Sequence, residues 1–507
     1  MIDTQFLGHA CLKFSGFRGA LLCDPWLTTV PIYGNTAVKY PFLPHDQLHA
    51  ALQASHVYVS HHHEDHFHIP TLDLFERDTT LLIPAFEYVR HTRAQSMLRT
   101  LERLGFRNVV ALKSWETIEL DLGEPLRLTL IPSAQSRWHD WENSGLILQS
   151  ADWSALNLND NLVDDPLLEE IRLRAGRPDA VFVQGFPSTE FPGSFDFSIR
   201  EKIRIGRHKR GNVEQAELVI RKLAPRSVTP IACDIAWHRR TDLYRNYSDK
   251  PTPSQFGAIL EKRGLLAQTR YVELGPADSF DVARLKARRP YGTLNYAGFR
   301  RRLRRKMLRF ERLVNAYDAY VERRGFDARD LACLLADLRA YFPAVFPVSA
   351  TVRIDFLIVD SAGATLARIS FCVRGAEFTI GADEESGLPC DQEIIVPEPI
   401  WLETLGGRLL RRDLFNLCVN RQIKPFKPAV AWLRYFINYY FDFGDISPWV
   451  RISGRQPSTD NLPDMRSMRT GLAPRFSASE LRDEYAEAPV SRIAHTTVLN
   501  SKCKSMS

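Results

Sequence analysis

The densest chemistry in the sequence lies in HVYVSHHHEDHFHIPTLDLF, residues 56–75. The apolar run Val57-Tyr58-Val59 reads as a buried strand, and His61, His63, Asp65 and His66 follow it directly in the pattern HxHxDH. A turn leaving a strand end can aim alternate side chains, His61 and His63, at one cation, while Asp65 and His66 face a second a few ångströms away. Imidazole nitrogen and carboxylate oxygen suit Zn²⁺ and Fe²⁺, and without thiolate ligands neither zinc-finger nor iron–sulfur chemistry is favoured. His62, Glu64 and His68 fall outside the pattern and are read as solvent-facing or packing residues.

An HxHxDH directly after a strand resembles the metallo-β-lactamase superfamily, of which it is the defining motif. Within that superfamily, LGHACLKF, LLCDPWL, VSHHHEDHFHIPTL, HDWENSGLILQS, LNLNDN, QGFPSTEFPGSFDF and VTPIACDIAWHRRTDLYRNYSDK resemble the catalytic region of the CMP-N-acetylneuraminate hydroxylases, so the resemblance covers most of residues 4–265. It implies that His61 and His63 hold the first metal and Asp65 and His66 the second. It also implies a third histidine, His139 in SRWHDWENSG, with two competing readings: Gln135 at the ligand place, or His139 as a loop histidine bonded to backbone. The bridging carboxylate is Asp160 in SALNLNDN, with Asp164 and Asp165 as competitors read as exposed loop acids. The last ligand is His238 in IACDIAWHRR, the alternative being a satisfied histidine near the surface. Asp24, after GALLC, resembles the buried acid that orients a ligand imidazole. His9 in GHA lines the same cavity or is simply packed.

Two divalent ions bridged by Asp160 would lower the pKa of a water to near neutrality, with Asp65 accepting a proton or orienting the nucleophile. Hydrolysis of an ester, amide or phosphodiester, with Zn²⁺, is the first expectation. With Fe²⁺ the same ligands suit a non-haem oxygenase, as the hydroxylase resemblance implies. Those hydroxylases carry an attached Rieske domain, and no cysteine in this sequence is followed two residues later by histidine, so oxygenation would need a separate electron-transfer protein. A metal-dependent nuclease is a further alternative. Arg137, Arg239 and Arg240, with Arg207, Lys209 and Arg210, lie near the implied ligands and have Trp237 among them, which suits an anionic, sugar- or nucleotide-like small molecule. Surface arginines without a role are the competing reading.

The elements that must hold these residues occupy a chain of 507 residues, enough for two or three domains. Its 45% hydrophobic and 25% charged residues are ordinary for a globular protein and exclude fibrous or wholly disordered classes. No apolar stretch suits a membrane span, MIDTQFLGHA lacks the layout of a secretion signal, and eight scattered cysteines suit a reducing compartment, so a cytoplasmic location is expected. QFLGHACLKF, GALLCDPWL, HVYVSH, TLLIPAF, LRLTLIPS, GLILQS, DAVFVQGF and SVTPIAC read as strands. With helices arriving only after the histidine cluster, residues 1–275 are expected to form an α/β domain, an αββα sandwich of the metallo-β-lactamase type. Residues 276–348 read as a basic helical connector. There Phe299, Leu303, Met307, Phe310, Val314, Tyr317 and Val321 form an apolar stripe, and Arg284–Arg312 holds twelve Lys/Arg and one acid. That segment lacks the aromatic interleaving of single-strand binding platforms, so a nucleic-acid partner is not expected. Residues 349–456 read as a smaller α+β domain, a β-meander followed by helices that resembles the sterol-carrier type. Residues 457–507 read as a polar, disordered tail. The net charge of +6 says nothing of oligomeric state, which stays open.

Overall fold

The computed structural model describes residues 2–33, 36–85, 97–134, 143–186, 191–206, 213–238, 242–248, 251–292, 302–307, 328–382, 387–405 and 414–443, apart from positions 99, 103, 306, 343 and 426. Two sheets carry the first part of the chain. One has eight strands in the spatial order Lys286–Arg288, Ser279–Asp281, Asp3–Gly8, Cys11–Ser15, Ala20–Cys23, His56–Tyr58, Thr80–Pro84 and Val109–Leu112. The other has seven, in the order Arg270–Tyr271, Ser227–Ile231, Ala180–Gln184, Ser154–Asn159, Ser144–Gln149, Pro125–Pro132 and Thr117–Asp121.

Alternation along each strand assigns its two faces. In Ser144–Gln149, Leu146 and Leu148 join Phe6, Leu12, Phe14, Tyr58 and Leu82 between the sheets, whereas Ile147 turns outward to Leu168, Ile171, Val219 and Phe256 on helices. The first sheet does the same, burying Leu21 and Cys23 inward and Leu22, Val57 and Val59 outward with Ala51 and Leu72. Strands covered on both faces read as continuous apolar runs, and the result is a helix–sheet–sheet–helix sandwich. Among the described residues no helix is long and apolar enough to cross a membrane.

Several elements differ from the sequence reading. QFLGHACLKF is not one strand but a hairpin, with His9 and Ala10 at its tip. Gly8 (φ 98°) and His9 (φ 56°) both take the left-handed conformation that such a turn needs. One helix, His45–Leu52, precedes the histidine cluster instead of following it. Residues 279–288, assigned by composition to the helical connector, are a hairpin on the edge of the first sheet, where Thr4 pairs with Phe280. Their basic residues read as a helix because the edge strand, Lys286–Arg288, keeps its charged side chains in water, while Phe280 in the strand inside it is buried.

From the basic connector, Leu303 and Met307 are buried against Val38, Tyr40, Phe42 and Ala236. The other stripe residues, Phe299, Phe310, Val314, Tyr317 and Val321, lie outside the described residues, as does the expected tail, 457–507. A second unit has its own core, drawn wholly from residues 335–437. Its four-stranded sheet has the order Thr365–Ala382, Val345–Val359, Gln392–Pro397 and Val419–Gln422. It is not a meander: ARISFCVRG and EFTIGAD form one long strand, and Gln392–Pro397 runs parallel to Val345–Val359. Gly375 (φ 64°) interrupts the apolar alternation without ending that strand, which is why the sequence reads as two.

Leu148→Ala, which empties space between the two sheets, should lower the unfolding free energy by about 2–5 kcal/mol, whereas Leu173→Ala, at a side chain 72% exposed, should change it by less than about 0.5 kcal/mol. Denaturant titration of the two variants checks the sandwich.

Candidate metal centre

The histidine cluster begins where the strand His56–Tyr58 leaves the first sheet. Its parallel neighbour, Ala20–Cys23, ends beside it at Asp24. The backbone N–H of Asp24 donates to Tyr58 O at 2.8 Å, and its Oδ1 accepts the N–H of Ser60 at 2.8 Å, so this buried carboxylate is fastened to the exit of the next strand. Its Oδ2 lies 3.3 Å from Nδ1 of His66, both side chains being fully buried. A proton on Nδ1 facing that carboxylate leaves Nε2 of His66 for the interior of the site, 3.5 Å from Asp160 Oδ2 and 3.8 Å from Asp65 Oδ2.

Asp160 arrives from the other sheet, immediately after Ser154–Asn159. Ser144 ties the two sheets together there. Its hydroxyl donates to Ser60 O at 2.8 Å and receives Tyr58 OH at 2.7 Å, while its carbonyl accepts Asn159 Nδ2 at 3.0 Å. The brace fixes the exits of two strands, one per sheet, and so sets the separation of His66 and Asp160. His61 Nδ1 rests 2.9 Å from Ser60 Oγ, and its Nε2 faces Nδ1 of His63 at 2.7 Å.

Two groups of side chains thus have mutually close ligand atoms: His61, His66 and Asp160, and His9, Asp65 and His66. The second is narrower than it looks. His9 Nδ1 accepts the backbone N–H of Asp234 at 3.2 Å, so its proton sits on Nε2 and is donated to Asp65 Oδ2 at 3.0 Å. His9 therefore orients Asp65. Tyr33 OH donates to the other oxygen, Oδ1, at 2.6 Å.

Burial would raise the Asp65 carboxyl, but the neighbouring His66 charge and the hydrogen bonds from His9 and Tyr33 outweigh it and hold the group well below the usual carboxylate range. Burial would likewise neutralise His66, yet Asp160, Asp65 and Asp24 push it well above the usual histidine range. Three carboxylates converging on one buried imidazole create a place for positive charge. The donor set fits a divalent cation there: Asp160 Oδ1 and His66 Nε2 are buried and make no hydrogen bond.

The remaining expected residues fall as follows. His238 is fully buried after Ile235–Trp237, its backbone N–H donating to Thr36 O at 3.3 Å, and belongs to neither ligand group. His139, Gln135, Arg137, Arg239 and Arg240 lie outside the described residues, as do Arg207, Lys209 and Arg210. Trp237 is buried among Trp26, Ile32, Ala37 and Ile235 and carries the Arg245 guanidinium 3.6 Å above its ring. Asp164 caps the helix Asp165–Ala175 by accepting from Leu167 N, and Asp165 pairs with Lys222, so both have structural work away from the cluster. His62 and His68 are packed inside. Thr71 Oγ1 contacts His68 Nδ1 at 2.8 Å, and burial, aided by the charge of Lys39, pushes His68 down to about 3, keeping it neutral. Tyr33 and Arg245 had no signal in the sequence. Glu64, which had been set aside, accepts the backbone N–H of Tyr33 at 2.6 Å and so places that residue over Asp65.

Residues 3–154 match the family model described as the beta-lactamase superfamily domain. Four curated relatives align with this chain, two of which show the range. A protein of Mycolicibacterium smegmatis named as a Rieske 2Fe-2S iron-sulfur protein is 27% identical over 215 residues, 41% of this chain and 39% of its own. The cytidine monophosphate-N-acetylneuraminic acid hydroxylase of Danio rerio is 25% identical over 271 residues, 52% of this chain and 43% of that protein. The chain thus spans about two fifths of the length of each of these relatives. Among solved structures, CmlA, a diiron beta-hydroxylase from Streptomyces venezuelae, has a TM-score of 0.37 at 18% identity over 57% of this chain and 54% of that one. The isothiocyanate hydrolase from Delia radicum gut bacteria has a TM-score of 0.37 at 13% identity over 55% and 98%. At these scores neither likeness bears on chemistry.

With His66 protonated in the metal-free domain at pH 7, its ion cluster stabilises the fold at low pH and loses that contribution as pH climbs through the raised value. A cation needs the neutral ring, so metal affinity should rise over the same window. Binding at pH 7 should release about one proton per chain, read calorimetrically from the dependence of the heat on buffer ionisation; no release would contradict a charged His66. Asp24→Asn, which loosens the ring, should weaken metal binding by roughly 10–100-fold in a chelator competition.

Proposed function

We propose that this chain is a dinuclear metal-dependent hydrolase acting on an anionic small molecule. Asp160 supports the reading most directly. A buried carboxylate oxygen without a hydrogen bond, Oδ1, is costly in a protein interior, and the other oxygen of the same carboxylate lies 3.5 Å from the unbonded Nε2 of His66. Bound there, divalent ions, Zn²⁺ first among them, would supply Lewis acidity and a water acidic enough to attack an ester, amide or phosphodiester at neutral pH. In this proposal His61 and His63 hold one ion, Asp65 and His66 the other, and Asp160 both, with His139 and His238 completing the sets.

The protein's own part is orientation. Asp24 Oδ2 faces Nδ1 of His66 as a charge at 3.3 Å, and Ser60 Oγ meets Nδ1 of His61 at 2.9 Å. Both oxygens of Asp65 already accept hydrogen bonds, from His9 and Tyr33, so of its two expected roles it takes the orienting one. The substrate class rests on Arg245, held over Trp237 next to His238, and on Lys202, which donates to Gly193 O at 2.9 Å beside Tyr244. Guanidinium and ammonium groups there suit a phosphate or carboxylate.

A second reading is favoured by the curated relatives, of which one is named as a hydroxylase and one as a Rieske protein. With Fe²⁺ in the same ligands the chain would be an oxygenase drawing electrons from a separate donor. Hydrolysis needs only metal ions, water and the residues described.

Protein purified with its native metal discriminates the two by elemental analysis and oxygen uptake. Zinc, with anaerobic hydrolysis abolished in His61→Ala and Asp160→Ala, is the expected outcome. Iron with oxygen consumption would replace the hydrolase by the oxygenase.

A further inference from the structure

The second unit meets the beta-lactamase superfamily domain at a point that bears on the metal centre. Leu417, at the end of the short helix Leu414–Leu417, packs on the buried cluster of Trp26, Ile32, Ala37, Ile235 and Trp237, and Tyr33 packs on the same cluster. That cluster holds the turn from which Tyr33 reaches Asp65: Ile32 N–H donates to Ala37 O at 2.8 Å, and Ala37 pairs with Trp237 across a two-stranded sheet. Trp26, a member of that cluster, also sets its ring edge-on to His9, at 5.4 Å between centroids, so both residues that pin Asp65 touch the cluster on which Leu417 packs.

Leu417 is not free to withdraw. Three residues on, Asn420 is fully buried with its polar groups engaged. Its backbone N–H donates to Ser194 O at 2.6 Å and its carbonyl accepts Asp196 N–H at 3.0 Å. Its Nδ2 donates to Ser194 O, Phe415 O and Cys418 O, and its Oδ1 accepts Arg434 Nη1 at 2.8 Å. Separating the two units would break the three Asn420 hydrogen bonds to Ser194 and Asp196 at once.

We infer that the second unit is a working part of the metal centre: Leu417, locked in place by Asn420, is a positioning residue for Tyr33 and, through the tyrosine hydroxyl, for Asp65. The inference rests on the reading of Asp65 as a metal ligand. A lid or a mere tether would leave the Tyr33–Asp65 hydrogen bond unchanged when the Leu417 contact is trimmed.

The test uses the full chain and Co²⁺, titrated by visible absorption against a competing chelator. Wild type should take up two ions. Leu417→Ala should weaken one of them about tenfold or more and shift its absorption band, as Tyr33→Phe should. The double variant should be no worse than Tyr33→Phe alone, because both changes act through one contact. Leu417→Met, which restores volume, should recover the wild-type spectrum. Leu417→Val, a milder trim suited to the case in which the alanine variant does not fold, should move affinity and band the same way by less. Two ions bound with wild-type affinity and spectrum in Leu417→Ala or Leu417→Val would overturn the inference while leaving the metal centre standing, as would strictly additive effects in the double variant. Failure of wild type itself to bind two ions would overturn the metal reading and the inference together.

Discussion

Three carboxylates, Asp24, Asp65 and Asp160, converge on the fully buried imidazole of His66, and the rest of the site is arranged around that concentration of negative charge. Such a group of acids is sustainable in an interior only if positive charge shares it. In the metal-free chain a proton on His66 fills that role. A divalent cation would fill it better, since it can accept the unbonded oxygen of Asp160 and the nitrogens of His61 and His66 together. Folding therefore gathers, in the chain itself, the negative charge that a divalent cation would meet.

What makes the convergence geometrically possible is the sandwich. Strand ends are the only places where a sheet can present side chains beyond its own pleat, and two stacked sheets bring their ends to the same edge. His61 to His66 leave one sheet after Tyr58, and Asp160 leaves the other after Asn159. Ser144, bonded to Tyr58, Ser60 and Asn159, locks the two exits. Positive backbone φ at His9, Asp24, Tyr33 and Asn159 marks how many chain reversals crowd around this edge. Such conformations are costly for residues other than glycine and persist where the surrounding structure holds them, here through hydrogen bonds made by each of these side chains.

The sequence made the histidine motif and the layered fold legible because both depend on local patterning: HxHxDH after an apolar run, and strands whose two faces are both apolar, as in Ser144–Gln149. The family resemblance of LNLNDN and LLCDPWL points to Asp160 and Asp24, whose carboxylates the fold brings to 3.5 Å and 3.3 Å from the His66 ring. The sequence did not disclose Tyr33 or the role of Glu64, because an orienting hydrogen bond across some thirty residues of chain leaves no spacing signature. Composition misassigned residues 279–288 for a related reason: the basic edge strand Lys286–Arg288 looks like part of a basic helix until its partner, Ser279–Asp281, and that strand's pairing with Asp3–Gly8 are known. The single strand Thr365–Ala382 reads as two at Gly375, where a left-handed residue and a shift in register against Val345–Val359 break the pattern without ending the strand.

Contacts around the histidine cluster extend well beyond it, from Asp24, 3.3 Å from His66, to Leu417 of the second unit, on the apolar cluster against which Tyr33 also packs. The most direct test is anomalous X-ray diffraction from crystals of the metal-loaded chain, recorded across the absorption edge of the bound metal. Two peaks are expected, sharing Asp160, one beside His61 and His63 and the other beside Asp65 and His66. A map with no peak at His66, or with metal only at sites remote from Asp160, would contradict the dinuclear centre.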